Sequence, residues 1–535
     1  MTEETDRSRG HDAEVIVIGA GLSGVAAAIA LRRAGFDDLI VLEKSARLGG
    51  TWRDNTYPGC GCDVPSMLYE YSFAPHPWSR GFAAQPEILD YLETTAAAHG
   101  VDTAIRYGTE VQEGRWDPDA HRWTLKTTTG THTARAVIVA TGPWHQPRYP
   151  EIPGLDDFPG PVFHSARWDH SADLAGRRIA IVGTGASTVQ FLPEIQPRAA
   201  RIDVFQSTAP WVLPKPDYAL PPAARRFLQR HPAPRRALRS LHYWMQEAIG
   251  LPLRHPRLLL PLEAAARLHL RTQVPDPALR RALSPEHRLG GRRLIASGTY
   301  YPALTRPNVR LHPTRVSEVN GSDVIGADGT RARADLIILA TGFHIGKLPL
   351  ADRLHGAHGT TLAQTWAKGR RAYLGTSVSG HPNLFLLLGP NLLTGTTAVP
   401  TVLEAQLRYI TGALTHLHTS GHTAMDVRAE TEQAHHTALH AALRTTVYNT
   451  AGCSSYYFSD PGVNTFCWPW STQRLLKRLR TFDPGTYTWS TPPQDRAHPH
   501  TPQLPHPRQD NASDSTSPSP AAQPAGSHPH TPHSP

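Results

Sequence analysis

The sequence predicts an α/β protein with two parallel sheets, an inserted helical stretch and a disordered C-terminal tail. Three observations predict it. Two apolar strands run into glycine-rich turns and then helices, in the stretches 14–45 and 177–206. Two later apolar strands, "AVIVATG" (136–142) and "DLIILATGF" (335–343), end in the same small-residue triplet. Between the second turn and the last of these strands lies a Pro-broken, Arg-rich stretch with the apolar period of helices. Strand, glycine turn and helix, twice over, is the Rossmann-like dinucleotide-binding pattern.

In chain order, "MTEETDRSRGHDAE" is polar and has no apolar signal region, so a disordered N-terminus and a cytoplasmic location are expected. In "EVIVIGAGLSGVAAAIALRRAGFDDLIVLEKS" (14–45), Gly19 allows a tight turn, Gly21 a close backbone approach to a pyrophosphate, and Gly24 close helix–strand packing. Glu43 ends the second strand, where a carboxylate can accept bonds from a ribose diol. "RRIAIVGTGASTVQFLPEI" (177–195) repeats the theme with Gly183 and Gly185, but Thr188 replaces the third glycine, which predicts a crowded helix–strand contact. The following strand, "IDVFQ", ends without an acid. Two such folds suggest two dinucleotides, one a bound flavin and one a diffusible nicotinamide.

Composition narrows the class. The net charge is +9, yet the stretch 225–293 alone holds fifteen Arg, no Lys and four acids, so the rest of the chain is slightly acidic. This reads as a helical insertion with a basic outer face. No nucleic-acid module accompanies the charge, so no nucleic-acid partner is expected. No apolar run approaches the ~18 residues of a membrane span, so no membrane partner is expected either. The four cysteines (60, 62, 453 and 467) include no CxxC, which argues against a disulfide oxidoreductase. Beyond residue 490 the chain turns to Pro, His and Ser with almost no large apolar residue, and is expected to be disordered. The six histidines there could bind stray metal, but no metal site is expected.

After Glu43 comes "LGGTWRDNTYPGCGCDVPSMLYEYSF" (48–73), with Gly50, Trp52, Tyr57, Pro58, Gly59 and Asp63 in the order Gly-x-Trp-x4-Tyr-Pro-Gly-x3-Asp. "FPGPVFHSARWD" (158–169) carries Phe158, Gly160, His164, Trp168 and Asp169 as Phe-x-Gly-x3-His-x3-Trp-Asp. Through these two patterns, both lying between the two glycine turns, the chain resembles the class B flavoprotein monooxygenases, and the Baeyer–Villiger type most closely. The resemblance covers roughly residues 13 to 489. It implies FAD and NADPH as cofactors, and a small-molecule ketone and O2 as substrates.

The implied order is a disordered N-terminus (1–12), FAD-binding domain (13–145), NADPH-binding domain (146–214) and helical insertion (215–290). The NADPH-binding domain then resumes (291–380), the FAD-binding domain returns (381–490), and the tail follows (491–535). The resemblance also implies cofactor contacts from Gly19, Gly21, Gly24, Glu43, Gly50, Thr51, Trp52, Asp63 and Tyr69. In the second fold it implies contacts from Gly183, Gly185, Ser187, Thr208 and Arg292, the last for the 2′-phosphate. Ser207 stands where an arginine commonly follows "FQ", which weakens the expected preference for NADPH. Arg293, oriented by Asp63, is the implied catalytic pair, and His164 is expected to serve a hinge between domains. The implied reaction inserts one oxygen atom of O2 next to a ketone carbonyl, through a flavin peroxide, to give an ester or lactone. Oxidation of sulfur or nitrogen by the same flavin chemistry stays open as the alternative, and the oligomeric state is left open.

Overall fold

A computed structural model describes residues 11–346, 348–459 and 462–491, and in it the two glycine turns open two separate sheets. The expected disordered tail lies outside the described residues except for Thr491. At the other end, His11 and Asp12 were expected to be disordered, but they extend the first strand, His11–Ile18, which pairs with Gly130–Val139 from His11↔His132 onward. Backbone pairing to a neighbouring strand gives these polar residues an ordered place that side-chain polarity alone does not reveal.

The first sheet runs, edge to edge, through Leu354–His355, Val111–Asp117, Arg122–Thr127, Gly130–Val139, His11–Ile18, Leu39–Leu42 and Ile105–Arg106, with Leu384–Leu386 also pairing with Gly130–Val139. Its central strands are buried on both faces, so Val15, Ile16 and Val17 are all inaccessible and read as a continuous apolar run. The second sheet is wholly parallel: Val309–His312, Arg201–Phe205, Arg178–Val182, Leu336–Leu339 and Val162–His164. Four helices, Pro222–Arg230, Pro232–Arg254, Leu260–Gln273 and Pro277–Ala282, fill the inserted stretch. Among the described residues no helix is long and apolar enough to cross a membrane.

One expected boundary shifts. The second sheet's last strand is Leu336–Leu339, and Leu354–His355 already pairs with Gly114–Arg115 of the first sheet. The chain is therefore back on the first sheet well before residue 381. A two-residue strand within "RLHGAHG" carries no apolar period, so nothing in the sequence announces it.

The chain passes between the sheets twice, and the two passages run side by side. Pro147 bridges Phe343, Arg148 N donates to Gly342 O at 2.8 Å, and His344 N donates to Gln146 O at 3.0 Å. His164 sits against this double crossing, its ring 5.5 Å from Tyr149 and 5.9 Å from Phe343. Its Nδ1 accepts from Ala166 N at 3.0 Å, so the neutral ring carries its proton on Nε2. The rest of the "FPGPVFHSARWD" loop is structural too. A Cβ on Gly160 would lie 2.2 Å from Asp335 O, and Asp169 Oδ1 accepts from Ser171 N and Oγ. Trp168 packs on Phe163 and Phe191 at 5.1 and 5.3 Å.

Burial pulls the His164 imidazole down to about 4, a shift that the Gly342 backbone only partly offsets. The unfolded chain therefore takes up this proton first as the pH falls below about 6.5, and the folded state loses stability until its own ring protonates near 4. Replacing His164 by Gln removes that component. Between pH 7.5 and pH 5.0 the parent should lose about 2 kcal/mol more unfolding free energy than His164→Gln. Urea unfolding at the two pH values measures the difference.

Candidate active site

The first glycine turn forms the floor of an open cavity. Gly19 has φ +105°, and a Cβ there would lie 2.9 Å from Ala140 O, in the first Ala-Thr-Gly triplet. A Cβ on Gly24 would lie 1.8 Å from Gly19 O, so only glycine permits this helix–turn contact. Gly50 approaches the same turn, 3.1 Å being left between its notional Cβ and the Gly21 Cα. Thr51, Trp52 and Tyr69 line the cavity, with Trp52 Nε1 donating to the Tyr69 hydroxyl at 3.1 Å. Glu43 also lines it, but its carboxylate already accepts from Ala20 N, Ser45 N and Arg53 Nη1 at 2.8, 2.9 and 3.2 Å. Of the roughly four lone-pair sites of a carboxylate, one is left for an incoming hydroxyl. An open, glycine-floored cavity with an acid bonded to the same turn fits a dinucleotide.

The second turn is built differently. Gly183 has φ +106°, and a Cβ would lie 2.6 Å from Ala340 O, while Gly185 faces open space. Thr188 does not crowd the contact as expected: its hydroxyl donates to Gly183 O at 2.8 Å, replacing glycine's close approach by a hydrogen bond. Ser165 Oγ donates to Ser187 Oγ at 3.1 Å, which ties the His164 loop to the start of this helix. Thr184 Oγ1 donates to Thr208 O at 3.3 Å. Arg292 spans this mouth, with Nη2 3.5 Å from Thr208 Oγ1 and Nε donating to Ser454 O at 3.1 Å.

Between the two turns, the Tyr57–Asp63 stretch lies on helix Ala186–Ile195 of the second fold. Tyr57 donates to Gln190 Oε1 at 2.8 Å, and Gln190 Nε2 donates to Asp63 Oδ1 at 2.9 Å and to Gly61 O at 3.1 Å. The other carboxylate oxygen of Asp63 lies 3.5 Å from Arg293 Nη2. Arg293 also sits 5.4 Å from the centroid of Trp144, which follows the first Ala-Thr-Gly triplet. Gln190 and Trp144 carry no motif in the sequence; only folding brings them to Asp63 and Arg293.

Arg293 and Asp63 face a second cavity, walled by Phe82, Leu213, Ile249, Leu294, Tyr456 and Phe466 among others. Trp144 and Val399 line both cavities, so the two adjoin there. The Arg293 side chain is 43% exposed, and it lines this cavity, whose walls are mostly apolar. Burial alone would pull its pKa down; the Asp63 carboxylate reverses the sign and raises it. Burial pushes the Tyr456 phenol up to about 12, so it faces the cavity as a neutral group. Cys60 and Cys62 are free thiols, each pushed up to about 12 by burial, which leaves them unreactive near neutrality. Among the described residues no group of His, Cys, Asp and Glu could hold a metal ion.

A family model described as pyridine nucleotide-disulphide oxidoreductase matches residues 16–237. A Baeyer-Villiger monooxygenase of Streptomyces coelicolor is 44% identical, covering 88% of this chain and 92% of its own length. Another from Pseudomonas aeruginosa is 37% identical, over 92% and 94% of the two chains. Among solved structures, an oxidized steroid monooxygenase bound to NADP superposes with a TM-score of 0.80 at 27% identity, over 90% of this chain and all of that one. An OTEMO complex with FAD and NADP gives 0.79 at 26% identity, over 88% and 97%.

Gly59 is where the junction is tightest. It has φ +75°, and a Cβ would lie 2.6 Å from Gln190 O. Gly59→Ala should therefore lower stability by about 2 kcal/mol or more, combining left-handed strain with a backbone clash. Gly142→Ala, at φ +66° with open space around it, should cost about 1 kcal/mol. Denaturant unfolding of the two variants measures the gap.

Proposed function

The chain belongs to the Baeyer–Villiger monooxygenases, and we propose that it inserts one oxygen atom of O2 beside the carbonyl of an apolar ketone, giving an ester or lactone. The observation that carries this is Arg293, a guanidinium held by Asp63 in the wall of a mostly apolar cavity. In this reading the first glycine turn, with Glu43, Gly50, Thr51, Trp52 and Tyr69, holds FAD. Gly183, Gly185, Ser187, Thr208 and Arg292 hold NADPH. FAD, once reduced by NADPH, supplies the activation of O2 and the oxygen transfer.

The chain's own residues supply grip, field and dryness. Arg292 offers a guanidinium to a 2′-phosphate, and no acid at the end of Arg201–Phe205 repels one. Ser207 adds no second cation there, so the preference for NADPH over NADH is modest. Arg293 keeps its proton at any working pH and stabilises negative charge developing beside the carbonyl. Asp63 pairs with it and fixes its direction, and Gln190 positions Asp63. Phe82, Leu213, Leu294 and Phe466 keep water away from that charge, which strengthens its field. Their apolar character supports a ketone with a hydrocarbon body over a polar one.

The test separates flavin reduction from oxygen insertion. Arg293→Ala should still be bleached by NADPH within roughly tenfold of the parent rate, because reduction needs contact between nicotinamide and flavin rather than this charge. Ester formation should fall by about a hundredfold or more, the loss of ~3 kcal/mol of transition-state stabilisation. The NADPH consumed then appears as hydrogen peroxide. Product analysis on a panel of ketones and thioethers reads the outcome: near-parent ester formation by the variant removes Arg293 from this role. A parent that oxidises only thioethers replaces ketone oxygenation by heteroatom oxidation.

A further inference from the structure

Helix Pro232–Arg254 exposes an apolar stripe although it also buries Leu253 and packs Leu238 on the core. It buries Arg235 and Glu247, and both charges are satisfied inward. Arg235 Nη2 reaches Glu70 Oε2 at 2.6 Å, while Glu247 meets Arg254 at 3.4 Å and accepts from Thr472 N at 3.0 Å. Its outer stripe is apolar: Leu241, Trp244, Met245 and Leu251 are 55, 54, 51 and 43% exposed, at spacings that place them on one face. Leu258 and Leu260, at the turn that follows, are 49 and 64% exposed. Of the eleven large apolar side chains exposed among the described residues, eight lie between Phe227 and Leu268. A cluster of this kind marks a covered surface.

Its chemistry selects the cover. Exposed Arg226, Arg230, Arg236, Arg257 and Arg271 belong to the same inserted stretch and have no ion-pair partner among the described residues. A second copy docked here would bring one basic surface against another, which is unfavourable. Exposed tryptophan and leucine on an insertion that also carries exposed, unpaired arginines match the interface of a bilayer with anionic headgroups. The same helix also walls the Arg293 cavity: His242, Gln246 and Ile249 line it, and Met245 both lines it and is half exposed. The apolar stripe thus borders the cavity on the side formed by this helix.

We infer that the inserted helices dock on an anionic lipid surface, with Leu241, Trp244 and Leu251 entering the headgroup boundary beside the cavity. Docking itself needs no oxygenation. Its benefit, access for apolar ketones dissolved in the bilayer, rests on the reading above, so the test is scored without turnover.

The full chain, loaded with FAD, is sedimented with vesicles of phosphatidylcholine alone and with vesicles containing about one-third phosphatidylglycerol, at low and high salt. Binding is expected to the anionic vesicles at low salt, weakened by salt. The triple variant Leu241→Ser, Trp244→Ser, Leu251→Ser should lose affinity by about tenfold or more. It should keep its flavin and its rate of reduction by NADPH, which shows that it is folded. Trp244 fluorescence, taken as the difference from Trp244→Phe, should be quenched by brominated lipids. Absence of binding, equal binding to neutral vesicles, or binding that survives the triple variant overturns the inference. So does a dimer in solution that the triple variant dissociates, because a second copy then covers the face.

Discussion

A guanidinium in a mostly apolar cavity has to be held by something, and in this chain the holding carboxylate is itself held from the other fold. Asp63 belongs to the first glycine-turn unit; Gln190, which donates to its Oδ1, belongs to the second; Arg293 follows the inserted helices. Removing one partner from such a group strands a charge away from water, which is far more costly than never having buried the pair. The constraint therefore acts on three separate stretches of chain at once. It explains why Tyr57, Gly59 and Asp63 occur at fixed offsets: Tyr57 and Asp63 bond the two ends of one amide side chain, and Gly59 lets the backbone pass beneath it.

The second fingerprint serves the same junction from behind. Trp168 packs on Phe191, the neighbour of Gln190 in sequence, and Phe191 stands edge-on to Tyr57 with centroids 6.2 Å apart. His164, four residues earlier, leans on the paired crossings at 146–148 and 342–344. One loop thus touches both the contact that orients the charge and the only strands of backbone that join the two sheets among the described residues. The backbone thus joins the two sheets through two hydrogen-bonded crossings that run side by side.

Much of this was legible in the sequence, and the physical reason is locality. Gly19, Gly24 and Gly183 are dictated by the backbone of their own turns and the adjacent Ala-Thr-Gly strands, so a short window shows them. Arg292 and Arg293 stand out as a basic pair, and the structure puts Arg292 at Thr208 and Arg293 at Asp63. Gln190 and Trp144 were illegible because their partners are remote in sequence and an amide or an indole alone signals no chemistry. The strand Leu354–His355 was missed because two residues make no period. The outer stripe of Pro232–Arg254 was hidden for the opposite reason: its apolar period is plain, but periodicity alone does not say which face the protein buries. The sequence expectation of no membrane partner rested on the lack of a spanning segment, and the docking inferred for this helix departs from it.

The central claim is that contact between the folds, through Gln190, aims the Arg293 charge. Gln190→Leu keeps the side chain's bulk but removes both of its bonds to Asp63 and Tyr57. The direct measurement is the fraction of oxidised NADPH that ends in ester, taken alongside the anaerobic rate of flavin reduction and the thermal midpoint. Reduction should stay within about threefold of the parent while the ester fraction falls by about fivefold or more, because a misaimed charge harms only the oxygen-insertion step. Arg293→Ala made in the Gln190→Leu background should then cost less ester than it does in the parent. An ester fraction equal to the parent's in Gln190→Leu would contradict the claim.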